Sequence, residues 1–98
     1  MLQGVSKIMN VILINAVWCG SCIIMKNRWS EIEKEYNINL TRYDYDFDED
    51  DVKKYNVGTI LPVSIFIDKN GNEVYRLNGE KKKEEIIKII DSIIRGEI

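Results

Sequence analysis

Cys19 and Cys22, the two cysteines of the chain, are the residues best suited to chemistry, and they lie together in the segment Trp18-Cys19-Gly20-Ser21-Cys22. Two thiols at this spacing can form a structural disulfide, supply half of a metal site, or act as a dithiol that passes electrons to other proteins. A structural disulfide here would close a loop too short to gain much chain entropy. A structural zinc site usually needs four protein ligands, whereas the chain has two cysteines and no histidine. The redox dithiol is therefore favoured, and the other two interpretations stay open as alternatives.

The helix expected after the cysteines gives the two thiols different roles. Cys19 lies at a strand-to-helix junction, where unsatisfied backbone N–H groups and the positive end of the helix dipole favour a thiolate. Cys22 lies three residues farther on, on the inward side, where burial favours the neutral thiol. We therefore predict that Cys19 attacks a partner disulfide as the nucleophile and that Cys22, the resolving cysteine, then breaks the mixed disulfide.

Hydrophobic periodicity predicts the elements that position these thiols. Residues 8–15 form a nearly continuous apolar run rich in β-branched residues, which is typical of a strand buried on both faces of an α/β sheet. An apolar stripe with spacings of 3, 4, 3 and 4 residues then predicts an amphipathic helix that ends near Asn37. The stripe consists of Cys22, Met25, Trp29, Ile32 and Tyr36.

The rest of the chain completes the order β-α-β-α-β-β-α. The predicted elements are a strand at 38–47, a short helix within 48–57 with Asp48 or Asp50 as N-cap, strands at 63–67 and 73–77 around an Asn70-Gly71 turn, and a helix within 80–96 that stops at Gly96. A crossover helix between the first two strands implies parallel pairing, whereas the hairpin adds antiparallel strands. We therefore predict an α/β fold, a four-stranded mixed sheet flanked by helices.

Aspartates alternate along residues 44–50, a pattern that could indicate a calcium loop. An EF-hand loop that started at Asp44 would need Gly at its sixth position and Glu at its twelfth, where the chain has Glu49 and Tyr55. The favoured interpretation is a polar strand edge followed by a helix cap.

Composition limits the function further. A chain of 98 residues that is 45% hydrophobic can bury one core, which predicts one domain over residues 1–98. A net charge of -2 argues against a nucleic-acid partner, and no apolar run approaches the roughly 20 residues of a membrane span. Lys7 and the apolar stretch after it resemble the start of a secretory signal peptide. Cleavage after this stretch would remove the core strand predicted at 8–15. We predict a cytoplasmic protein, and in a reducing compartment a lone cysteine pair is more often catalytic or metal-binding than structural.

Two motifs carry a family resemblance. The Trp18-Cys19-Gly20-Ser21-Cys22 turn lies between a buried strand and a helix, and Leu61-Pro62 opens the hairpin strand, with Tyr55 and Val57 before it. With these features the chain resembles the thioredoxin family from Ile8 to Ile94. The resemblance implies a thioredoxin fold and a protein-disulfide oxidoreductase whose redox-active Cys19-Cys22 pair needs no cofactor or metal. It also implies disulfide-containing protein substrates, a thioredoxin-reductase-like or small-dithiol electron donor, and a monomer.

The same resemblance implies a substrate-binding surface beside the cysteines. It implies a cis Leu61-Pro62 bond facing them, which would leave the Leu61 backbone free to pair with an extended substrate segment. Trp18, next to an exposed thiol, is expected to form an apolar contact surface rather than core. The residues expected at the substrate are Trp18, Gly20, Ser21, Leu61 and Pro62.

Departures from the family pattern leave alternatives open. Ser21 stands where typical thioredoxins have proline, and Leu13, six residues before Cys19, stands where they keep a buried aspartate that helps deprotonate the resolving cysteine. Arg42 corresponds to the basic residue usually coupled to that aspartate, and in size the chain approaches a glutaredoxin. A glutaredoxin-like enzyme that uses glutathione and a redox-inactive binding module therefore remain as alternative functions.

Overall fold

The computed structural model describes residues 7–98. Within them the chain alternates between strands and helices in the predicted order. The elements are β1 (Met9–Asn15), α1 (Gly20–Glu35), β2 (Ile38–Asp44), α2 (Glu49–Lys53), β3 (Val63–Ile67), β4 (Glu73–Asn78) and α3 (Lys83–Ile94). None of the helices in this part of the chain combines the length and the apolar character that crossing a membrane requires.

The strands form one mixed sheet in the order β2-β1-β3-β4. β1 pairs with β2 in parallel, as a crossover helix requires, and with β3 in antiparallel. β3 and β4 form an antiparallel hairpin, whose turn contains Gly71 with φ +84°. The apolar run of β1 therefore lies in the sheet interior, and the predicted mixed sheet is confirmed.

The sheet separates two apolar clusters, because successive side chains of β1 point to opposite faces. Val11 and Leu13 contribute to the cluster that α1 and α3 cover, whereas Ile12 and Ile14 contribute to the other. The second cluster contains Cys22, so the sheet and α1 together bury one of the two thiols.

α1 begins directly at the cysteines. Cys19 is its N-cap residue, with extended backbone angles, and Tyr36 ends it, also extended. Four of the five residues of the predicted stripe are buried, while Tyr36 is half-buried just beyond the last turn. At the other end of the chain, Gly96 adopts φ +74° and its N–H donates to the carbonyl of Ile93, so the predicted helix stop is confirmed.

β2 ends at Asp44, three residues before the predicted end. Asp44 Oδ1 accepts hydrogen bonds from the N–H groups of Asp46 and Phe47, which turns the chain away from the sheet. Phe47 is consequently 81% exposed rather than the last residue of the strand predicted at 38–47. α2 is likewise shorter than the segment 48–57; Asp48 occupies its N-cap position, but its side chain makes no capping hydrogen bond.

Candidate active site

Cys19 lies half-buried where β1 gives way to α1. Its N–H donates to the carbonyl of Ala16 at 3.1 Å, which tightens the turn after the strand. Its Sγ accepts a hydrogen bond from the N–H of Cys22 at 3.2 Å. The sulfur therefore replaces the oxygen that an N-cap side chain ordinarily presents to the first turn of a helix.

Cys22 is buried, with 4% of its surface exposed. Burial raises the pKa of its thiol to about 12, and the hydrogen bond with Cys19 and the charges of Cys19 and Asp44 act in the same direction. The hydrogen bond with the backbone of Ala16 opposes them. At neutral pH the two sulfurs are therefore different: one is accessible and capped by an N–H group, and the other is a buried neutral thiol.

Trp18 stands beside Cys19 on the surface, 61% exposed. Its Nε1 donates to Asp46 Oδ2 at 2.7 Å, and its ring meets the edge of Tyr45 with 6.3 Å between centroids. These two contacts hold the indole in place while it stays open to solvent. Val17, which is 74% exposed, extends the apolar surface next to the accessible thiol.

The Leu61-Pro62 bond is cis, as the family resemblance implied. Both side chains are buried, and Leu61 belongs to the same apolar cluster as Cys22, against which Cys19 packs. The carbonyl of Pro62 accepts from the N–H of Gly79 at 2.7 Å. Within residues 7–98, the backbone N–H and C=O of Leu61 make no hydrogen bond, so these groups are available to another chain.

A surface cavity of about 370 Å³ opens where α1 meets the end of β2. Asp44 and Asp48 line it beside Cys22, and Lys26 and Arg42 line it with cationic side chains. In the described part of the chain neither cation forms an ion pair with either carboxylate. The remaining lining residues are Asn15, Ala16, Val17, Ile23 and Tyr43.

The structure thus brings most of the predicted site residues to one end of the sheet. Gly20 is exposed and Ser21 half-buried, both in the first turn of α1. Leu13 is buried in the cluster that α1 and α3 cover, whereas Cys22 belongs to the other cluster. Sequence reasoning treated Asp44 only as part of a strand edge; the turn signal in the Asp-rich segment after β2 was the feature that could have placed it at the site.

Residues 7–98 contain no cluster of three or more histidine, cysteine, aspartate or glutamate side chains arranged to hold a metal ion. The arrangement of the paired thiols suits attack on a disulfide followed by internal disulfide formation.

Comparison with known proteins places this geometry in a family. The family model described as Thioredoxin matches residues 3–92. Thioredoxin H7 of Arabidopsis thaliana is 37% identical over 89 residues, which cover 90% of this chain and 67% of that protein.

Solved structures agree in fold. The reduced thioredoxin pre-protein of Schistosoma mansoni superposes with a TM-score of 0.78 at 27% identity, covering 88% of this chain and 79% of that one. A mutant thioredoxin from Halobacterium salinarum gives 0.80 at 17% identity, with 88% and 74% covered. Together with the two cysteines, the family match and the Arabidopsis relative support a thiol oxidoreductase. The chain belongs to the thioredoxin family.

Proposed function

We propose that the protein reduces disulfide bonds of partner proteins through Cys19 and Cys22. The observation that carries the proposal is the pairing of an accessible N-cap sulfur with a buried thiol at one helix terminus, where Cys19 Sγ lies 3.2 Å from the backbone nitrogen of Cys22. A binding module would not need this asymmetry, whereas a two-step exchange does.

The reaction proceeds by two exchanges at sulfur. The thiolate of Cys19 attacks one sulfur of the partner disulfide, so a mixed disulfide forms and the other partner sulfur leaves as a thiolate. Cys22 then loses its proton and attacks Cys19 Sγ, which releases the second partner sulfur. The partner gains two electrons, and the protein retains a Cys19–Cys22 disulfide that an electron donor must reduce.

The exposed surface around Cys19 supports a protein substrate. Trp18 and Val17 offer apolar contact beside the nucleophile, and the free backbone groups of Leu61 suit pairing with an extended segment that carries the disulfide. In this proposal Gly20 and Ser21 border the path to Cys19, and Pro62 lines it together with Leu61.

The proposal extends to the setting in which the protein works. It acts as a monomer with one domain over residues 1–98, of which residues 1–6 lie outside the described part, and it needs no cofactor or metal. A cytoplasmic location supports the dithiol form, because the reducing pool there keeps thiols reduced. A thioredoxin-reductase-like enzyme or a small dithiol returns the electrons, and neither nucleic acid nor membrane is a partner.

A trapping experiment tests the order of attack. With a disulfide-linked peptide as substrate, Cys22→Ser should accumulate a stable mixed disulfide on Cys19, because the resolving thiol is missing. Cys19→Ser is the matched control and should form no adduct at pH 7, since the remaining thiol is buried and protonated. Mass spectrometry of acid-quenched samples reads the adducts. Equal labelling of the two variants would contradict the assigned roles.

The midpoint potential of the cysteine pair tests the direction of electron flow. Equilibration in dithiol/disulfide buffers, followed by thiol trapping, should give a midpoint potential near the roughly -270 mV of a reductant. A value near about -120 mV would indicate an oxidant instead. The absence of a reversible couple would favour the redox-inactive binding module.

A further inference from the structure

In the second exchange Cys22 must lose its proton, and the two cysteines provide no group that can accept it. Burial is the largest cause that raises the pKa of Cys22, and because it does not depend on the state of Cys19, the thiol is still protonated at pH 7 in the mixed disulfide. Attack on the mixed disulfide requires the thiolate. The step therefore needs a group near Cys22 that accepts its proton while the new sulfur–sulfur bond forms.

The cavity beside Cys22 offers two carboxylates for this task, Asp44 and Asp48. Asp44 is the last residue of β2, and it pairs in parallel register with Asn15, the last residue of β1. The turn that carries Cys19 departs from that same strand end. The topology thus brings Asp44 to the thiol pair, and its charge acts directly on Cys22.

The carboxylate of Asp44 is held with one oxygen free. Oδ1 accepts hydrogen bonds from the N–H groups of Asp46 and Phe47, both at 2.9 Å. Oδ2 accepts none within residues 7–98, and Asp44 makes no ion pair there. Asp48 is held in a similar way, since its Oδ2 accepts from the N–H of Asp44 at 2.7 Å, but of the two carboxylates it is Asp44 whose charge acts on Cys22.

We propose that Asp44 is the proton acceptor for Cys22 in the second exchange, an inference that rests on the proposed function and names a further residue for it. The Cys22 proton passes across the cavity to Asp44 Oδ2 as Cys22 Sγ attacks Cys19 Sγ. The bond between Cys19 and the partner sulfur breaks, the partner sulfur leaves with the electron pair, and Asp44 then returns the proton to that sulfur or to solvent.

The other charged groups around the cavity do not fulfil this role. Lys26 on α1 and Arg42 on β2 are cations at neutral pH, so they cannot accept the proton. Cys19 is bonded to the partner during this step. Leu13, which stands where the family keeps an aspartate, is aliphatic and supplies no acceptor.

The decisive variant is Asp44→Asn, which preserves an acceptor oxygen for the N–H groups of Asp46 and Phe47. If Asp44 acted only through its charge, the variant would resolve the mixed disulfide faster, because removing that charge lowers the pKa of Cys22. If Asp44 accepts the proton, resolution at pH 7 should slow by roughly 10²-fold, the scale of general base catalysis. The two explanations therefore predict opposite signs.

Rapid-quench mass spectrometry with a disulfide-linked peptide separates the two exchanges. The first exchange, adduct formation on Cys19, should keep its wild-type rate in Asp44→Asn, whereas decay of the adduct should slow. In the variant the decay rate should rise about tenfold per pH unit above pH 7, because free thiolate must now form first. Asp50→Asn, which changes the same charge outside the cavity, is the control and should match wild type.

Each outcome decides between the proposals. If Cys22→Ser forms no adduct and the wild-type protein releases no peptide thiol, the proposed function fails; if adducts form and Asp44→Asn resolves them as fast as wild type or faster, only the role of Asp44 is overturned. Slowing in Asp48→Asn but not in Asp44→Asn would overturn it as well. Should the asparagine variant lose its thermal unfolding transition, Asp44→Ser provides the same comparison with a smaller acceptor.

Discussion

At the scale of single residues, Ser64 is a buried polar side chain that the proposed reaction does not use. It is 1% exposed in β3, and its hydroxyl has no hydrogen-bond partner among the described residues. A buried hydroxyl without a partner costs free energy, so we expect Ser64→Ala to raise the free energy of unfolding by about 1 kcal/mol. Urea denaturation measures the change.

A hydroxyl that does have a partner provides the control. Thr41 Oγ1 lies 3.4 Å from Asn10 Oδ1 in the neighbouring strand, so the isosteric Thr41→Val should bring no gain in stability. Destabilisation by Ser64→Ala would contradict the prediction and would indicate that the hydroxyl has a partner in solution.

At the scale of elements, the β3–β4 hairpin depends on the backbone conformation of Gly71. Its φ of +84° lies in the left-handed region, although a methyl group there would have open space around it. Gly71→Ala should therefore destabilise the fold by about 1 kcal/mol through backbone strain rather than a clash. The unfolding midpoint in urea and the exchange protection of the hairpin amides measure the effect.

Gly58 is the matched comparison for this hairpin. A Cβ at Gly58 also meets nothing within 4 Å, and its φ lies outside the strained range. Gly58→Ala should leave stability unchanged or raise it slightly, because alanine reduces the freedom of the unfolded chain. Equal losses in both variants would rule out φ as the cause.

At the scale of the whole molecule, the buried thiol makes stability depend on pH and redox state. Cys22 has a folded-state pKa of about 12 against an ordinary value of 9.0, so the unfolded chain releases this proton first as pH rises. Its contribution to stability is complete below pH 9 and is lost toward pH 12. The reduced protein should therefore lose unfolding free energy across this range more steeply than the oxidised protein, which has no thiol to titrate.

Chemical denaturation of both redox forms between pH 7 and the alkaline limit of folding checks this difference. The pKa values of Tyr36 and Tyr55 are also raised, chiefly by burial, but these residues are present in both forms and their contributions cancel in the comparison. A reduced Cys22→Ala variant should lose the Cys22 contribution to the slope. Parallel curves for reduced and oxidised wild type would show that Cys22 titrates as an ordinary thiol.

Local patterns in the chain predicted the elements well, because periodicity reports which faces are buried. The apolar run at 8–15 became the central strand β1, and the stripe through Cys22, Met25 and Trp29 became the buried face of α1. The Asn70-Gly71 turn became the β3–β4 hairpin. Element ends were less predictable, since a side chain can terminate a strand: Asp44 ends β2 through hydrogen bonds that alternation does not reveal.

The sequence by itself determined the dithiol, its position at a helix start and the order of the elements, because these follow from neighbouring residues and their spacing. Only the tertiary structure decided how deeply Cys22 is buried, which backbone groups of Leu61 stay unpaired, and which carboxylate lies near the thiols. The reason is physical: the pKa of a thiol depends on the solvent and charges that distant segments remove or supply. Asp44 lines the cavity beside Cys22 only because β2 pairs in parallel with β1. This pairing places Asp44 opposite Asn15, which lies 29 residues earlier in the chain.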